Sequence, residues 1–502
     1  MSVLAQTATD VVVNVDLHAI APEIVLTIAL LAVLVIDLFL PDRYRVFNAV
    51  ISMTGVVGAA IALGTLIGDR PAGGRVTFAG MFVLDNYAML FKWLFLAVGA
   101  VTILLSMTYL EERAKRVQGE FYFLLLSALL GMLVMPSARD LLALFVALEL
   151  VSVPGFVMAG FKKTDVKSSE ASVKFFLFGV LAAAVMLFGM SLIYGVTRST
   201  NLAVIASTLA ERPDDPLVLA SILLIVVGFA FKVSAVPFHF WAPDTYEGSP
   251  VPVAAFLSVG SKAAGFAGLL QLVFLGFPDH THVWAPGFAI LAVLTMTIGN
   301  VVALSQTNIV RLLAYSSIGH SGFILLPFGV VAGQGPDVMQ EAFAAALTYI
   351  LIYSFMNLGA FAVAIAVERK LPSNEIANFE GLGFREPGLA LAMMVFLLSL
   401  AGMIPTAGFW AKFFVFRAAM GAGGAGSVIL ASVMVLNTVI ALFYYLRIGA
   451  SMYLREPAER SSVGVPYPIA AAVVAMALVV AAVTVYPDFF NHFSPNSTLV
   501  AL

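Results

Sequence analysis

The sequence contains no cysteine and little charge. The absence of cysteine from all 502 residues excludes disulfide bonds, thiolate zinc sites and cysteine-ligated iron–sulfur clusters in this chain. Only 11% of the residues are charged, against roughly 25% in soluble domains, and the mean hydropathy is +1.01. This composition excludes a soluble enzyme, a disordered chain and a nucleic-acid-binding protein, and it favours a polytopic membrane protein. The net charge of −3 is too small to indicate a polyanionic partner.

Long hydrophobic runs fill most of the chain. A helix needs about 20 apolar residues to cross a hydrocarbon layer, and fourteen stretches meet this requirement. The sequence therefore predicts an all-α, polytopic membrane protein that forms one domain over residues 1–502. The fourteen predicted spans run approximately over 20–40, 46–67, 86–109, 121–135, 141–161, 173–196, 216–241, 251–277, 283–304, 310–331, 341–366, 387–418, 427–453 and 465–486.

The basic residues are distributed unevenly between the loops, where Lys174, Arg311 and Arg447, which lie near span ends, are counted with the adjacent loops. Sixteen lysines and arginines fall in the odd-numbered loops, whereas five fall in the even-numbered loops. Because loops rich in Lys and Arg stay in the cytoplasm, the odd loops are predicted to be cytoplasmic. Both termini are then predicted to lie on the outer, periplasmic side of a bacterial inner membrane.

The other five basic residues lie inside the spans. Lys92 and Arg417 lie nearer to span ends, and we expect their long side chains to reach the membrane interface. Lys232, Lys262 and Lys412 lie deeper. A charge at the bilayer centre costs roughly 2.5–3.5 kcal/mol on insertion scales, so these three lysines call for a functional explanation.

One acidic residue, Glu149, lies at the middle of a span. A static ion pair between Glu149 and one lysine would hold two helices together, but it would leave the other two lysines without a partner. A proton path accounts for all of them, since a lysine in a dry site can also exist as a neutral amine. The sequence therefore favours a proton relay, with a structural ion pair as the alternative.

Two of the deep lysines lie close to prolines that interrupt their spans. Pro237 in span 7 cannot donate to the carbonyl of Val233, and Pro405 in span 12 cannot donate to that of Ala401. Spans 7 and 12 are therefore predicted to be kinked or broken. The first break leaves a carbonyl free beside Lys232, and Lys412 follows Pro405 by seven residues, two helical turns. Broken helices at corresponding positions of two halves indicate an ion-translocation site.

These breaks predict an internal repeat. Spans 4–8, approximately 121–277, would form the first unit, and spans 9–13, approximately 283–453, the second. Spans 1–3, approximately 20–109, and the last span, approximately 465–486, lie outside the repeat. Since each unit has an odd number of helices, the two five-helix repeats are predicted to be inverted relative to each other.

Three segments carry a resemblance to a known family. FKVSAVPFHFWAPDTYEGSPVPVAAFLSVGSKAAGF, NIVRLLAYSSIGHSGF and IPTAGFWAKFFVF resemble the antiporter-like subunits of respiratory complex I, the proton-pumping NADH–quinone oxidoreductase. The WAPDTYEGSPVP portion is typical of the N-type subunits, since the L and M types and the related antiporter subunits have a His-containing PDAH sequence there.

The resemblance implies a role for each candidate site residue. Glu149 resembles the span-5 glutamate that pairs with the span-7 lysine, here Lys232. Lys262 resembles the central lysine of span 8, and Lys412 the span-12 lysine that gates an outer half-channel. The remaining candidates match family positions whose involvement is less firm, and a hydrogen-bonded core role is the alternative for each: His239 and His320.

The resemblance also implies partners and cofactors. It implies a membrane assembly with the adjacent antiporter-like subunit M, the small subunit K and lipids, and no nucleic acid. NAD, FMN, iron–sulfur clusters and quinone would then be held by partner subunits, with no cofactor, metal or redox centre in this chain. The alternatives are the equivalent subunit of a photosynthetic, ferredoxin-fed complex, a Mrp-like cation/proton antiporter subunit, and a passive scaffold.

Overall fold

The computed structural model describes residues 15–68, 74–369, 373–457 and 464–487. The chain termini and three predicted loop residues, Arg70, Lys370 and Arg460, lie outside this part, as does the side chain of Lys115. Within it the chain is almost entirely helical, with one short β-hairpin. An all-α membrane architecture is therefore confirmed.

Every one of the fourteen predicted spans is helical. Before the first break the helices are α1 Ala21–Asp37, α2 Phe47–Thr65, α3 Asn86–Arg113, α4 Gln118–Val134, α5 Leu141–Ala159, α6 Val166–Thr197, α7 Leu202–Ala210 and α8 Pro216–Lys232. After it come α9 Trp241–Gly248, α10 Val251–Phe256, α11 Lys262–Gln271, α12 Thr281–Ala303, α13 Ile309–Gly329, α14 Pro336–Glu368, α15 Leu382–Arg385, α16 Pro387–Ala401, α17 Ala407–Ala422, α18 Gly424–Leu454 and α19 Tyr467–Val485. In the described residues, eleven helices are long and apolar enough to cross a membrane. The number of fourteen spans remains a prediction.

The predicted interruptions of spans 7 and 12 are confirmed. In span 7 the helix stops at Lys232 and resumes at Trp241, and in span 12 it stops at Ala401 and resumes at Ala407. The carbonyl of Phe231, at the end of α8, accepts a hydrogen bond of 3.1 Å from the indole of Trp241. Each break is the fourth span of its predicted five-helix unit, which agrees with a repeat, although the inverted repeat itself remains a prediction.

The odd-numbered loops meet at one end of the molecule, called here the odd-loop end. Arg311 at the start of α13 and Lys174 in α6 both pair with Asp244 in α9. At the same end Arg113 pairs with Glu368. Burial by itself opposes ionisation of Asp244, but its hydrogen bonds from Lys174 and Arg311 outweigh this effect and hold the pKa of its carboxyl below the ordinary value. The helix after the first break is thus fixed by charge to two neighbouring helices.

The even-numbered loops and the N-terminal segment meet at the opposite end, the even-loop end. Here β1 Arg75–Thr77 pairs antiparallel with β2 Phe82–Leu84, so that Arg75 lies opposite Leu84. Arg75 also pairs with Asp16, which precedes α1. The loops therefore sort into the two groups that alternating transmembrane helices require.

Candidate functional site

The first part of the site lies where α8 ends at the break. Lys232 is the last residue of α8 and is only 2% exposed. Its ammonium group donates a hydrogen bond of 2.8 Å to the hydroxyl of Ser152 in α5. Ser152 follows Glu149 by one helical turn, so that α5 presents both side chains towards the same side.

Glu149 and Lys232 do not form the ion pair that the resemblance implied. Within the described residues no ion pair of 4.0 Å or less joins them, and Glu149 is partly exposed. The lysine is bound instead to the neutral hydroxyl of Ser152. The acid and the lysine therefore lie close enough to interact electrostatically, but they are not in ion-pair contact.

Lys232 lies directly against the helix that carries Lys262. A Cβ atom at Gly265 of α11 would be only 2.8 Å from Cγ of Lys232, a distance that real Cβ atoms essentially never show. Gly265 follows Lys262 by three residues, which is close to one helical turn. The missing side chain at Gly265 therefore makes room for the Lys232 stem beside the turn that carries Lys262.

Lys262 occupies the centre of a fully buried segment. It is 1% exposed, and its ammonium donates a hydrogen bond of 2.8 Å to the hydroxyl of Ser317 in α13. Two π-helical turns, Leu257–Ser261 and Leu272–Gly276, flank α11 on either side, and such turns are frequent at functional sites. Nothing in the sequence indicated them.

A polar atom without a partner lies beside Lys262. Among the described residues, the hydroxyl of the preceding residue, Ser261, has no hydrogen-bond partner. Buried polar groups of this kind commonly bind internal water. The surroundings of Lys262 can therefore hold water between fixed hydroxyl groups.

Helix α13 connects Lys262 to the second break. His320 follows Ser317 by three residues and is 3% exposed. Its ring nitrogens are joined by hydrogen bonds to two tyrosines, Nδ1 to the hydroxyl of Tyr349 at 2.8 Å and Nε2 to that of Tyr445 at 3.2 Å. His320 thus lies one turn beyond the partner of Lys262, inside a hydrogen-bonded cluster.

Lys412 completes the series at the second break. Its ammonium lies 4.7 Å from the ring centre of Phe323, which follows His320 by three residues on α13. It donates a hydrogen bond of 2.8 Å to the carbonyl of Ala401, the last residue of α16. This is the carbonyl that the sequence predicted to be freed by Pro405.

The three lysines share one electrostatic property. Within the described part of the chain, Lys232, Lys262 and Lys412 each make one hydrogen bond to a neutral oxygen and none lies within ion-pair distance of a carboxylate. An ammonium group has three donors, and burying its charge without a counter-ion is costly. Each of these groups is therefore well suited to releasing its proton.

His239 lies in the first break and is 6% exposed, and its Nδ1 atom has no partner among the described residues. The structure thus places Glu149, Lys232, Lys262, His320 and Lys412 along one series of contacting helices, and His239 in the break that follows Lys232, near enough to Lys262 for an electrostatic interaction. Sequence reasoning missed three hydroxyl residues of this series: Ser152, Ser317 and Tyr445. Two of them could have been found, because Ser152 lies three residues from Glu149 and Ser317 lies three residues from His320 on the same helix.

The expectation for Lys92 was wrong. Its side chain is 0% exposed and pairs at 2.5 Å with Glu23 in the first turn of α1, instead of reaching the interface. Glu23 was the acid missed inside the first predicted span. Arg417, in contrast, is half exposed and pairs with Glu341.

The described residues contain no group of three or more possible metal ligands.

Comparison with known proteins decides the family. The pattern of the family described as NADH:quinone oxidoreductase/Mrp antiporter, transmembrane, matches residues 138–441. The chain belongs to this antiporter family. It is 42% identical over 468 residues to NADH-quinone oxidoreductase subunit N of Trichlorobacter lovleyi, an alignment that covers 92% of this chain and 93% of the relative.

Solved structures agree with the family in fold. A chain of respiratory complex I from Thermus thermophilus with bound aureothin superimposes with a TM-score of 0.77 at 32% identity, covering 94% of this chain and 99% of that one. A chain of the Mrp complex from Dietzia sp. superimposes with a TM-score of 0.81, covering 96% and 97% of the two chains. At 20% identity the second comparison shows the fold alone.

Proposed function

We propose that this chain is the N-type, antiporter-like membrane subunit of NADH–quinone oxidoreductase and that it moves protons through a relay of buried lysines. The observation that carries the proposal is the series of three lysines without counter-ions, linked through α5, α11 and α13. The high identity to an N subunit over most of both chains supports the assignment.

The relay starts at Glu149 and Lys232. When the carboxylate approaches, it stabilises the ammonium form of Lys232. When the two are not in ion-pair contact, as in this structure, burial favours release of the proton. The proton passes through water to Lys262, continues past Ser317 and His320, and reaches Lys412, from which it leaves to the outer side.

The energy for this transfer comes from another part of the assembly. Quinone reduction takes place in a partner subunit, and NAD, FMN, iron–sulfur clusters and quinone are bound by partners. The chain itself lacks the cysteines that would ligate a cluster. It contributes translocation to a multi-subunit enzyme in the bacterial inner membrane, beside subunit M, subunit K and lipids, with both termini on the outer side.

The proposal is tested by Lys262→Ala in the intact complex reconstituted in vesicles. We expect the complex to assemble normally and the number of protons moved per electron to fall. The control is Lys163→Ala, because Lys163 is an exposed lysine at the odd-loop end. Glu149→Gln should slow turnover by removing the field on Lys232. An unchanged proton ratio in an assembled Lys262→Ala complex contradicts the relay.

A Mrp-like cation/proton antiporter is a second candidate, since that family shares the fold. It predicts sodium-dependent proton flux when this chain is expressed without partners. A ferredoxin-fed photosynthetic complex is distinguished by purifying the assembly and identifying its electron-input subunits. Full pumping after neutralisation of all three lysines would indicate a passive scaffold.

A further inference from the structure

A second buried acid–lysine pair lies outside both five-helix units. Glu23 is the third residue of α1 and Lys92 the seventh of α3, and their side chains are 10% and 0% exposed. Their charged atoms are 2.5 Å apart, and the Lys92 ammonium also lies 4.6 Å from the ring centre of Phe82. Both residues lie towards the even-loop end. In sequence they precede the first lysine of the series, Lys232, by more than a hundred residues.

The two oxygens of the Glu23 carboxylate differ in their surroundings. Oε1 accepts the hydrogen bond from Lys92, whereas Oε2 is buried and has no partner among the described residues. Lys92 is completely enclosed, but Glu23 retains some exposure. Of the pair, Glu23 is therefore the member nearer to water, and its buried Oε2 has the free capacity to accept a proton.

A further ion pair connects this site to the helix of Lys262. Asp85 lies two helical turns before Lys92, on the same face of α3, and pairs with Arg139 in the buried interior. The Arg139 guanidinium also donates to the side-chain oxygen of Gln271, the last residue of α11. The Asp85–Arg139–Gln271 contacts thus lie between the two sites, two helical turns from Lys92 and nine residues along α11 from Lys262.

Stability alone does not account for a pair of this kind. Replacing a buried ion pair by well-packed apolar side chains is often neutral or stabilising, so a static connection between α1 and α3 does not need charge. An ionisable residue at membrane depth is better explained by a functional role. The pair repeats the chemistry of Glu149 and Lys232, but with the acid and the lysine in contact.

We propose that Glu23 and Lys92 form a second proton-exchange site, which passes protons between the buried interior and water at the even-loop end. In the exchange the N–H bond of the Lys92 ammonium breaks as an O–H bond forms on Glu23, which leaves both groups neutral. Glu23 then releases the proton to water, and the Lys92 amine takes up a proton from the buried interior. This inference rests on the proposed function.

The test uses Lys92→Arg in the intact complex in vesicles. Arginine keeps the ion pair with Glu23 but is not deprotonated at ordinary pH, so that a structural pair and a proton-exchange site predict different results. We expect the protons moved per electron to fall at least twofold in an assembled complex. The double variant Glu23→Met/Lys92→Met, which leaves no unpaired charge, should show the same loss.

The control is the partly exposed pair Glu341 and Arg417, also at the even-loop end, replaced as Glu341→Met/Arg417→Met and expected to leave the ratio unchanged. A normal ratio in either assembled variant of Glu23 and Lys92 overturns the inference, as does the failure of both to assemble, since the pair is then a structural connection. If Lys262→Ala abolishes pumping while Lys92→Arg does not, only this inference fails. If Lys262→Ala also pumps normally, the relay itself fails.

Discussion

The ammonium of Lys412 donates its hydrogen bond to the carbonyl of Ala401, across the break in span 12. Pro405 cannot donate to that carbonyl, because proline has no backbone N–H. The proline therefore creates an acceptor and the lysine seven residues later occupies it. A buried amine is held in place by a backbone dipole instead of by a carboxylate, which leaves it free to lose its charge.

Lys412→Arg separates the structural role of this residue from its role in proton transfer. Arginine can still donate to the Ala401 carbonyl, but its guanidinium stays protonated. We expect an assembled complex that moves clearly fewer protons per electron. The measurement is the proton ratio in vesicles. Equal ratios in the variant and the wild type would show that Lys412 acts only as a hydrogen-bond donor.

Gly265→Ala tests the contact between Lys232 and α11. The added methyl group would lie 2.8 Å from Lys232 Cγ and 3.2 Å from Val233 Cγ1, so the lysine has to move. We expect a several-fold loss of coupled turnover. The control is Gly287→Ala in α12, where a Cβ meets nothing within 4 Å and alanine favours the helix by about 1 kcal/mol. Similar turnover in both variants would contradict the proposed contact.

Ser317→Ala removes the one hydrogen-bond partner that Lys262 has among the described residues. Leaving a buried donor without its partner costs about 1–3 kcal/mol, and we expect a several-fold slower rate of proton transfer in single-turnover measurements. Ser321→Ala is the matched control, because Ser321 lies one turn further along α13 and binds only the backbone carbonyl of Ser317. The prediction fails if the two variants pump at the same rate.

Arg139→Met should destabilise the protein strongly. It removes the Arg139 charge from beside the buried Asp85 carboxylate, at a cost of about 3–5 kcal/mol. The double variant Asp85→Met/Arg139→Met should recover most of this loss, but not all, since Asp85 also caps α3 by accepting the N–H of Ala88. The yield and thermal midpoint of the purified complex measure both effects. A double variant no more stable than Arg139→Met would contradict this account.

Whether a feature of the site could be predicted from the sequence depended on how far apart in the chain the residues that cause it lie. The breaks of spans 7 and 12 were predictable because a proline acts on a carbonyl only four residues away. The partners of the lysines were not, because Lys232 binds Ser152 at a separation of 80 residues and Lys262 binds Ser317 at a separation of 55. Lys92 was misjudged for the same reason, since its partner Glu23 is 69 residues away.

The sequence by itself determined the membrane class, the helical segments, the two breaks and the lysines that need an explanation. These follow from composition, from the length of apolar runs and from the chemistry of proline, all of which act along the chain. Only the tertiary structure decided that Glu149 and Lys232 are not in ion-pair contact, that α13 lies between Lys262 and Lys412, and that Lys92 has an acidic partner. The reason is that helices in an apolar medium choose their neighbours by packing and by polar contacts between distant residues, which no local pattern records.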